Sequence, residues 1–257
     1  MKNVIIEGIP EIGRIGEWND LSEELGIAFE YNDFFMPCCI NDEDEYARRL
    51  SVYRGLNRKS GRDTLHGAFL DIAVNSGDGE IMRLSAKRCE KSVETALELN
   101  CRGVVFHTNY IIGFKSDFYR SEWVKRCAGY YRTLAEKYPE INIFVENMFD
   151  DTPELLRRLA EEMEGVKNFG VCFDVAHAAL WNLPLGEWTD SLKKYTRHVH
   201  INDNDLCQDL HLPMGDGKID YGFLKEKPFT GLESMLLEVN GIEGFKKSYE
   251  YLKTRLV

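Results

Sequence analysis

A chain of 257 residues with ordinary globular composition is long enough for one large domain, and its formal net charge is −11. That negative balance argues against broad binding to nucleic acid or to an anionic membrane surface. The apolar run in MKNVIIEGIPEIG is too short for a signal peptide and is interrupted by Glu7, and no stretch approaches the roughly 18 apolar residues of a membrane helix.

The predicted elements alternate from the start. NVIIEGI reads as a strand and EWNDLSEELG as the helix after it; IAFEYNDF, with Glu30 among apolar neighbours, is the second strand, followed by the helical DEYARRLSVYRGLN. TLHGAFLDI is the third strand and carries His66. The long helix EIMRLSAKRCEKSVETALELN comes next, with Ile81, Leu84, Ala86, Val93, Ala96 and Leu99 expected along one apolar face. GVVFHTNY, with His107, precedes the helix SEWVKRCAGYYRTLAEKYP. NIFVENM, with Glu146, precedes TPELLRRLAEEMEG, where Thr152 and Pro153 predict an N-cap and first-turn pair. FGVCFDVAH brings Asp174 and His177, RHVHINDN brings His198 and His200, and SMLLEVN brings Glu238 ahead of a last helix, GFKKSYEYLKTRL. Helical signals are short between Leu183 and Pro228. Eight strands alternating with helices, without a linker, predict one α/β domain over residues 1–257, a (β/α)8 TIM barrel rather than an open sheet.

Seven cysteines with no CxxC pair point to reduced thiols in a cytoplasmic protein, and adjacent Cys38 and Cys39 read as loop or core thiols. The histidines are the stronger signal. HVHINDNDLCQDLHLPMGDG, residues 198–217, holds three of the six, set among Asp203, Asp205, Asp209 and Asp216. A solvated loop tolerates the aspartates but has no need of the imidazoles; a metal site wants both. Taken one at a time, a strand histidine is usually a hydrogen-bonded core residue. A carboxylate inside an apolar run such as NIFVENM is harder to dismiss, because buried charge is costly unless paired or metal-bound.

His66, His107, Glu146, Asp174, His200 and Glu238 fall on six successive candidate strands, and the C-terminal ends of barrel strands ring one pocket. Imidazole plus carboxylate without thiolate suits zinc or manganese, with cobalt, iron or magnesium also compatible. Asp174 and His177 are three apart at a strand end, where a turn can bring both to one ion. His198 and His200 share a face, and His200, nearer the rim, is the better ligand; His198 is expected below it. Glu30 is expected to point into the barrel, bonding substrate or a ligand, with a structural pairing equally open. GDGK lacks the Walker spacing and reads as a turn. Trp181, Phe149 and Phe69 are candidates for the pocket wall.

With these residues in view, the chain resembles the xylose isomerase-like TIM-barrel superfamily of sugar phosphate isomerases and epimerases, related to endonuclease IV. The resemblance spans essentially the whole barrel and is most specific in VENM, FDVAH, HVHIND and DLHLPMGDGKID, ending with LLEV. It implies one divalent metal held by Glu146, Asp174, His200 and Glu238, with Glu146 and Glu238 as the proton-transferring pair and His177 on substrate. The larger set of endonuclease IV, a trinuclear zinc site, maps onto His66, His107, Glu146, Asp174, His177, His200, Asp209, His211 and Glu238, so these nine could take additional ions.

Two departures argue against DNA repair: the loop after His200, NDNDLCQ, is short and acidic, and NMFDDTPELL replaces that family's glycine-rich stretch. The family's usual arginine after the seventh-strand histidine is also absent, since Leu206 and Cys207 stand near that place. The function expected is therefore a metal-dependent sugar or sugar-phosphate isomerase or epimerase working through an ene-diolate. An endonuclease IV-like phosphodiesterase is the alternative, and a keto-inositol dehydratase would use the same logic. A degenerate barrel that binds without turnover fits poorly with intact Glu146 and Glu238. The expected partner is a small sugar or sugar phosphate, with no nucleic acid and no membrane; a homo-oligomer is compatible.

Overall fold

Runs rich in Val, Ile and Phe, buried on both faces, form the strands of a parallel sheet, as its helix-covered geometry requires. The computed structural model describes residues 4–56, 58, 61–226 and 229–255. Its strands are β1 (Ile5–Gly8), β2 (Ala28–Tyr31), β3 (Thr64–His66), β4 (Gly103–His107), β5 (Asn142–Glu146), β6 (Phe169–Asp174), β7 (Thr196–Ile201) and β8 (Ser234–Leu237). They close in sequence order into a parallel barrel, β8 pairing with β1. The expected (β/α)8 architecture is therefore present. Asn3, Asn57 and Leu256, at the ends of three predicted elements, lie outside the described residues.

The helices among the described residues are α1 (Ile15–Leu25), α2 (Pro37–Ile40), α3 (Glu43–Gly55), α4 (Gly79–Glu98), α5 (Asp117–Lys137), α6 (Glu154–Glu162), α7 (Val175–Ala179), α8 (Leu185–Leu192) and α9 (Gly241–Arg255). None is long and apolar enough to cross a membrane. Side-chain caps fix several starts: Asp42 accepts from Glu45 N–H, Asp78 from Glu80 and Ile81 N–H, and Ser116 from Tyr119 N–H. The last of these starts α5 four residues earlier than the sequence suggests.

Thr152 does not cap α6. Pro153 stands at the cap position with a helical backbone, and the Thr152 hydroxyl makes no hydrogen bond. The expected face of α4 is also revised: Ile81 and Leu84 are exposed, 48% and 55%, while Ser85, Cys89, Ser92, Val93 and Ala96 face the barrel. The buried serines have a use that apolar residues could not supply. Ser92 Oγ accepts from Ala68 N–H at 3.0 Å and Ser85 Oγ from Ala73 N–H at 2.9 Å, which ties down the loop leaving β3.

All seven cysteines are free, five of them buried. Within the barrel, Val105, Phe144 and Cys172 form a small apolar layer below the strand ends, separate from the main core between strands and helices.

Candidate metal centre

The parallel register delivers the ionisable residues to one rim. His66, His107, Glu146 and Asp174 are the last residues of β3, β4, β5 and β6; His200 is next to last in β7, and Glu238 follows β8 by one residue. His107 pairs across the ladder with Glu146, and Asp174 with His200. His177 lies in the first turn of α7 rather than on the strand. Asp174 caps that turn, accepting His177 N–H at 2.6 Å, and so brings His177 Nδ1 to 3.7 Å from its own carboxylate.

The rim's third contribution comes from the loop after β7. Asp203 and Leu212 exchange backbone hydrogen bonds at 2.8 and 2.9 Å, folding residues 203–212 back over the ring with Asp209 and His211 aimed inward. His211 holds a left-handed backbone, φ 48°, which a histidine adopts only when its surroundings over-determine it. GDGK is a turn, as expected. The Asp203 carboxylate accepts from Gly215 and Ile219 N–H, and a side chain on Gly217 would collide with it.

Four donors, from Glu146, Asp174, His200 and Glu238, lie within 4.8 Å of one another, all buried. His200 Nδ1 is 3.3 Å from Glu146 Oε2 and 3.4 Å from Glu238 Oε2. Those three atoms and Asp174 Oδ2 are buried without a hydrogen-bond partner. Three carboxylate oxygens and an imidazole nitrogen left without partners in a closed space cost several kcal/mol unless a cation joins them. The residues present therefore fit a divalent ion, and the oxygen–nitrogen donor set suits zinc, manganese, cobalt or iron.

Two further groups adjoin this ring. His66 Nε2 and His107 Nε2 are 3.2 Å apart and lie 3.9 and 3.3 Å from Glu146 Oε2. On the other side, Asp209 Oδ2 is 3.3 Å from His177 Nε2 and 3.0 Å from His211 Nε2, while His177 Nδ1 is 3.4 Å from Glu146 Oε1. Glu146 thus touches both neighbouring groups as well as its own ring. All nine residues singled out in the sequence converge here.

Backbone carbonyls orient three of the outer imidazoles. His66 Nδ1 meets Gly67 O at 3.0 Å, His177 Nδ1 meets Asn147 O at 2.9 Å, and His211 Nδ1 meets Glu238 O at 3.0 Å. Each carbonyl can accept the Nδ1 proton and turns Nε2 toward the cluster, the orientation a metal ligand needs. Despite burial, the Asp174 and Asp209 carboxylates hold His177 well above the usual histidine range, and Asp209 holds His211 up at about 10. Burial holds His107 below the usual histidine range, as a neutral imidazole. Burial, then the Glu146 and Glu238 carboxylates, push Asp174 up to about 8 despite the pull of His177. Packed carboxylates cannot all stay ionised without a cation.

Sequence reading missed the supports. Asn147 brackets the β5–β6 junction, its amide donating to Asp174 O and its carbonyl accepting Asp174 N–H, both at 2.8 Å. The VENM motif contains it, but only the fold reveals the partner. Asp150 is a second omission: it is buried against the Thr108 hydroxyl at 2.8 Å, and burial pushes it up to about 7. Glu30 lies beneath the ring, fully buried, rather than against substrate space; the pairing reading fits its position.

A cavity of about 600 Å³ opens above the ring, bounded by His66, His107, His177, Asp209, His211 and Glu238 together with Phe35, Phe69, Phe149, Asn32 and Asn240. Phe69 and Phe149 wall it as expected. Trp181 is not among its lining residues, because it sits past the end of α7. A larger hollow, about 750 Å³, lies between α3 and α4 and includes none of these histidines.

The model of the family described as xylose isomerase-like TIM barrel matches residues 26–255. The chain belongs to that family. MJ1311, an uncharacterized protein of Methanocaldococcus jannaschii, is 31% identical to it over 208 residues, 75% of this chain and 69% of its own. The TTHB071 protein from Thermus thermophilus, in a structure soaked with ZnCl2, is similar with TM-score 0.76 and 24% identity over 96% of each chain. A D-tagatose 3-epimerase-like protein gives 0.73 and 22% over 97% of this chain and 96% of that one. Endonuclease IV from Thermus thermophilus gives 0.63 and 18% over 97% and 98%. At these identities the three structures share the fold.

For this xylose isomerase-like barrel we expect more than one equivalent of divalent metal per chain. The later equivalents should be lost in His107→Ala and in His211→Ala, while the equivalent held by the four-residue ring survives. Calorimetric titration with elemental analysis measures both. Saturation of the native protein at one equivalent, retained by both variants, would make the outer residues substrate contacts instead.

Proposed function

We propose that the protein is a divalent-metal-dependent isomerase or epimerase acting on a small keto-sugar. The observation that carries this reading is the pair of buried glutamates, Glu146 from β5 and Glu238 after β8, whose unpartnered Oε2 atoms flank the same imidazole nitrogen. When bound by Glu146, Asp174, His200 and Glu238, the ion would polarise a substrate carbonyl and acidify the neighbouring carbon-bound proton. One glutamate then takes that proton, and the electron pair left on carbon delocalises into the carbonyl as an ene-diolate. The other glutamate returns a proton, to the opposite face for epimerisation, or to the neighbouring carbon for isomerisation, in which case the hydroxyl proton also passes from one ene-diolate oxygen to the other. His177, bounding the cavity, orients a substrate oxygen.

The cavity supports an uncharged substrate. No Lys or Arg is among its described lining residues, while apolar Phe35, Phe69 and Phe149 stand over His66, His107 and His177 at ring separations of 5.0–5.3 Å. Its volume suits a monosaccharide. Incubating the metal-loaded protein with a panel of ketoses in D2O tests the reading: deuterium should enter at the carbon beside the carbonyl and depend on added metal. No incorporation from any ketose, with metal bound, would overturn it.

Phosphoester hydrolysis is the second reading, favoured by the nine donors gathered in three adjoining groups. Against a DNA substrate stands the loop of residues 201–210, which carries Asp203, Asp205 and Asp209 and no basic side chain. Nicking of abasic-site DNA is expected to be absent or weak. Robust nicking at physiological salt would promote this second reading over the first.

A further inference from the structure

Glu30 touches His200 from beneath the ring, on the side away from the cavity. It projects from β2, across the barrel from β7, and is fully buried. Its Oε2 lies 3.1 Å from His198 Nε2, and its Oε1 lies 3.3 Å from His200 Nε2. The two Nε2 atoms are themselves 3.1 Å apart, so both rings turn the same nitrogen toward one carboxylate. A carboxylate can only accept, so the hydrogen bond to Glu30 Oε2 puts the His198 proton on Nε2. Glu30 Oε1 faces His200 Nε2 without a formed hydrogen bond, an open acceptor for the proton of that ring. His198 Nδ1 then receives the Ser234 hydroxyl. For His200, Nδ1 is the nitrogen directed at Glu146 and Glu238, and an ion held there would leave the ring's proton on Nε2, facing Glu30.

The clamp is anchored from below. Thr64 donates its hydroxyl between Glu30 Oε2, at 2.8 Å, and Glu7 Oε2. Glu7 in turn pairs with Arg102 at 3.0 Å, and Arg102 also contacts Ser234 and Glu233. Phe144 stacks on the His198 ring at 5.5 Å and fixes its plane. Glu30 is absent from the lining of the cavity above the ring, so it has no route to substrate there.

Resting on the metal-centre part of the function proposed above, we infer that Glu30 is the positioning residue of that centre: its carboxylate holds the Nε2 proton of His198, offers its second oxygen to that of His200, and so commits His200 to present Nδ1 to the ion. It acts through His200 and touches neither ion nor substrate. Removing its charge while keeping its size, as in Glu30→Gln, leaves one acceptor oxygen for two N–H donors. With zinc bound, His200 must keep its proton on Nε2 and claims that oxygen, so His198 has to move its proton to Nδ1 and donate it to Ser234.

Two measurements test this. Titration with cobalt(II) should find the ring equivalent weakened about 10–100-fold in Glu30→Gln, the range for losing the partner of a ligating histidine. The equivalents on the His177–Asp209–His211 side should keep their affinity, which a general loss of structure would not allow. In nitrogen-15 spectra of the zinc-loaded native protein, His198 and His200 should both carry the proton on Nε2, and in zinc-loaded Glu30→Gln His198 should switch to Nδ1. The native tautomers need no substitution, so they decide the matter even where the variant does not fold. Native His198 protonated at Nδ1, or a variant with native cobalt affinity and an unswitched His198, overturns the role of Glu30 alone. A native protein that takes up no cobalt overturns the metal centre and this inference together.

Discussion

Glu146→Gln and Glu238→Gln should each abolish turnover and leave the barrel folded. Each glutamate supplies a ligand atom and a site for the proton, so the amide removes both functions at constant volume. Loss of proton transfer by a positioned group costs about 10²–10⁴-fold, before any loss of metal is counted. Glu146 should be the more damaging site. Its carboxylate lies 3.3 Å from His107 and His200 and 3.4 Å from His177, joining all three donor groups, whereas Glu238 serves one ring. Metal content should accordingly fall further in Glu146→Gln. Solvent-deuterium incorporation, elemental analysis and circular dichroism together check the outcome. Residual activity in the tens of per cent in either variant would remove that residue from the proton-carrying role.

The second large effect separates two histidines only two residues apart. His200 turns Nδ1 into the ring, while His198 lies one layer lower, held by Ser234 and Glu30. His200→Asn should weaken the ring equivalent by more than roughly 100-fold, and His198→Asn by no more than about tenfold, the lower end for a partner outside the coordination sphere. Calorimetry with manganese(II) and the metal-dependent exchange rate should rank the variants in the same order. Equal losses would mean that the layer assignment is wrong.

The fold and the convergent residues were legible because both depend on local pattern. A strand buried on both faces is a short apolar run, and a carboxylate or imidazole at its end breaks that run: Glu146 ends NIFVE, Asp174 ends FGVCFD, and His200 interrupts HVHI. Features set by what packs across the barrel were not legible. α4 turns Ser85 and Ser92 inward because the loop after β3 leaves backbone N–H groups to satisfy, a need that the helix's own periodicity does not encode. Trp181 was misplaced because the turn of α7 carries it past the cavity. Thr152 has the residue type of a cap but not the hydrogen bond. Glu30 was visible as an oddity in an apolar strand, yet its partner His198 lies 168 positions away, and only barrel closure brings them together.

The most direct measurement is an anomalous-diffraction map from crystals of the chain grown with cobalt(II), collected on either side of the metal edge. The expected result is a strong peak enclosed by Glu146, Asp174, His200 and Glu238, with weaker peaks by His66 and His107 and by Asp209 and His211. A map with no peak inside that four-residue ring, from protein that has taken up cobalt elsewhere, would contradict the assignment of the ring as the metal centre.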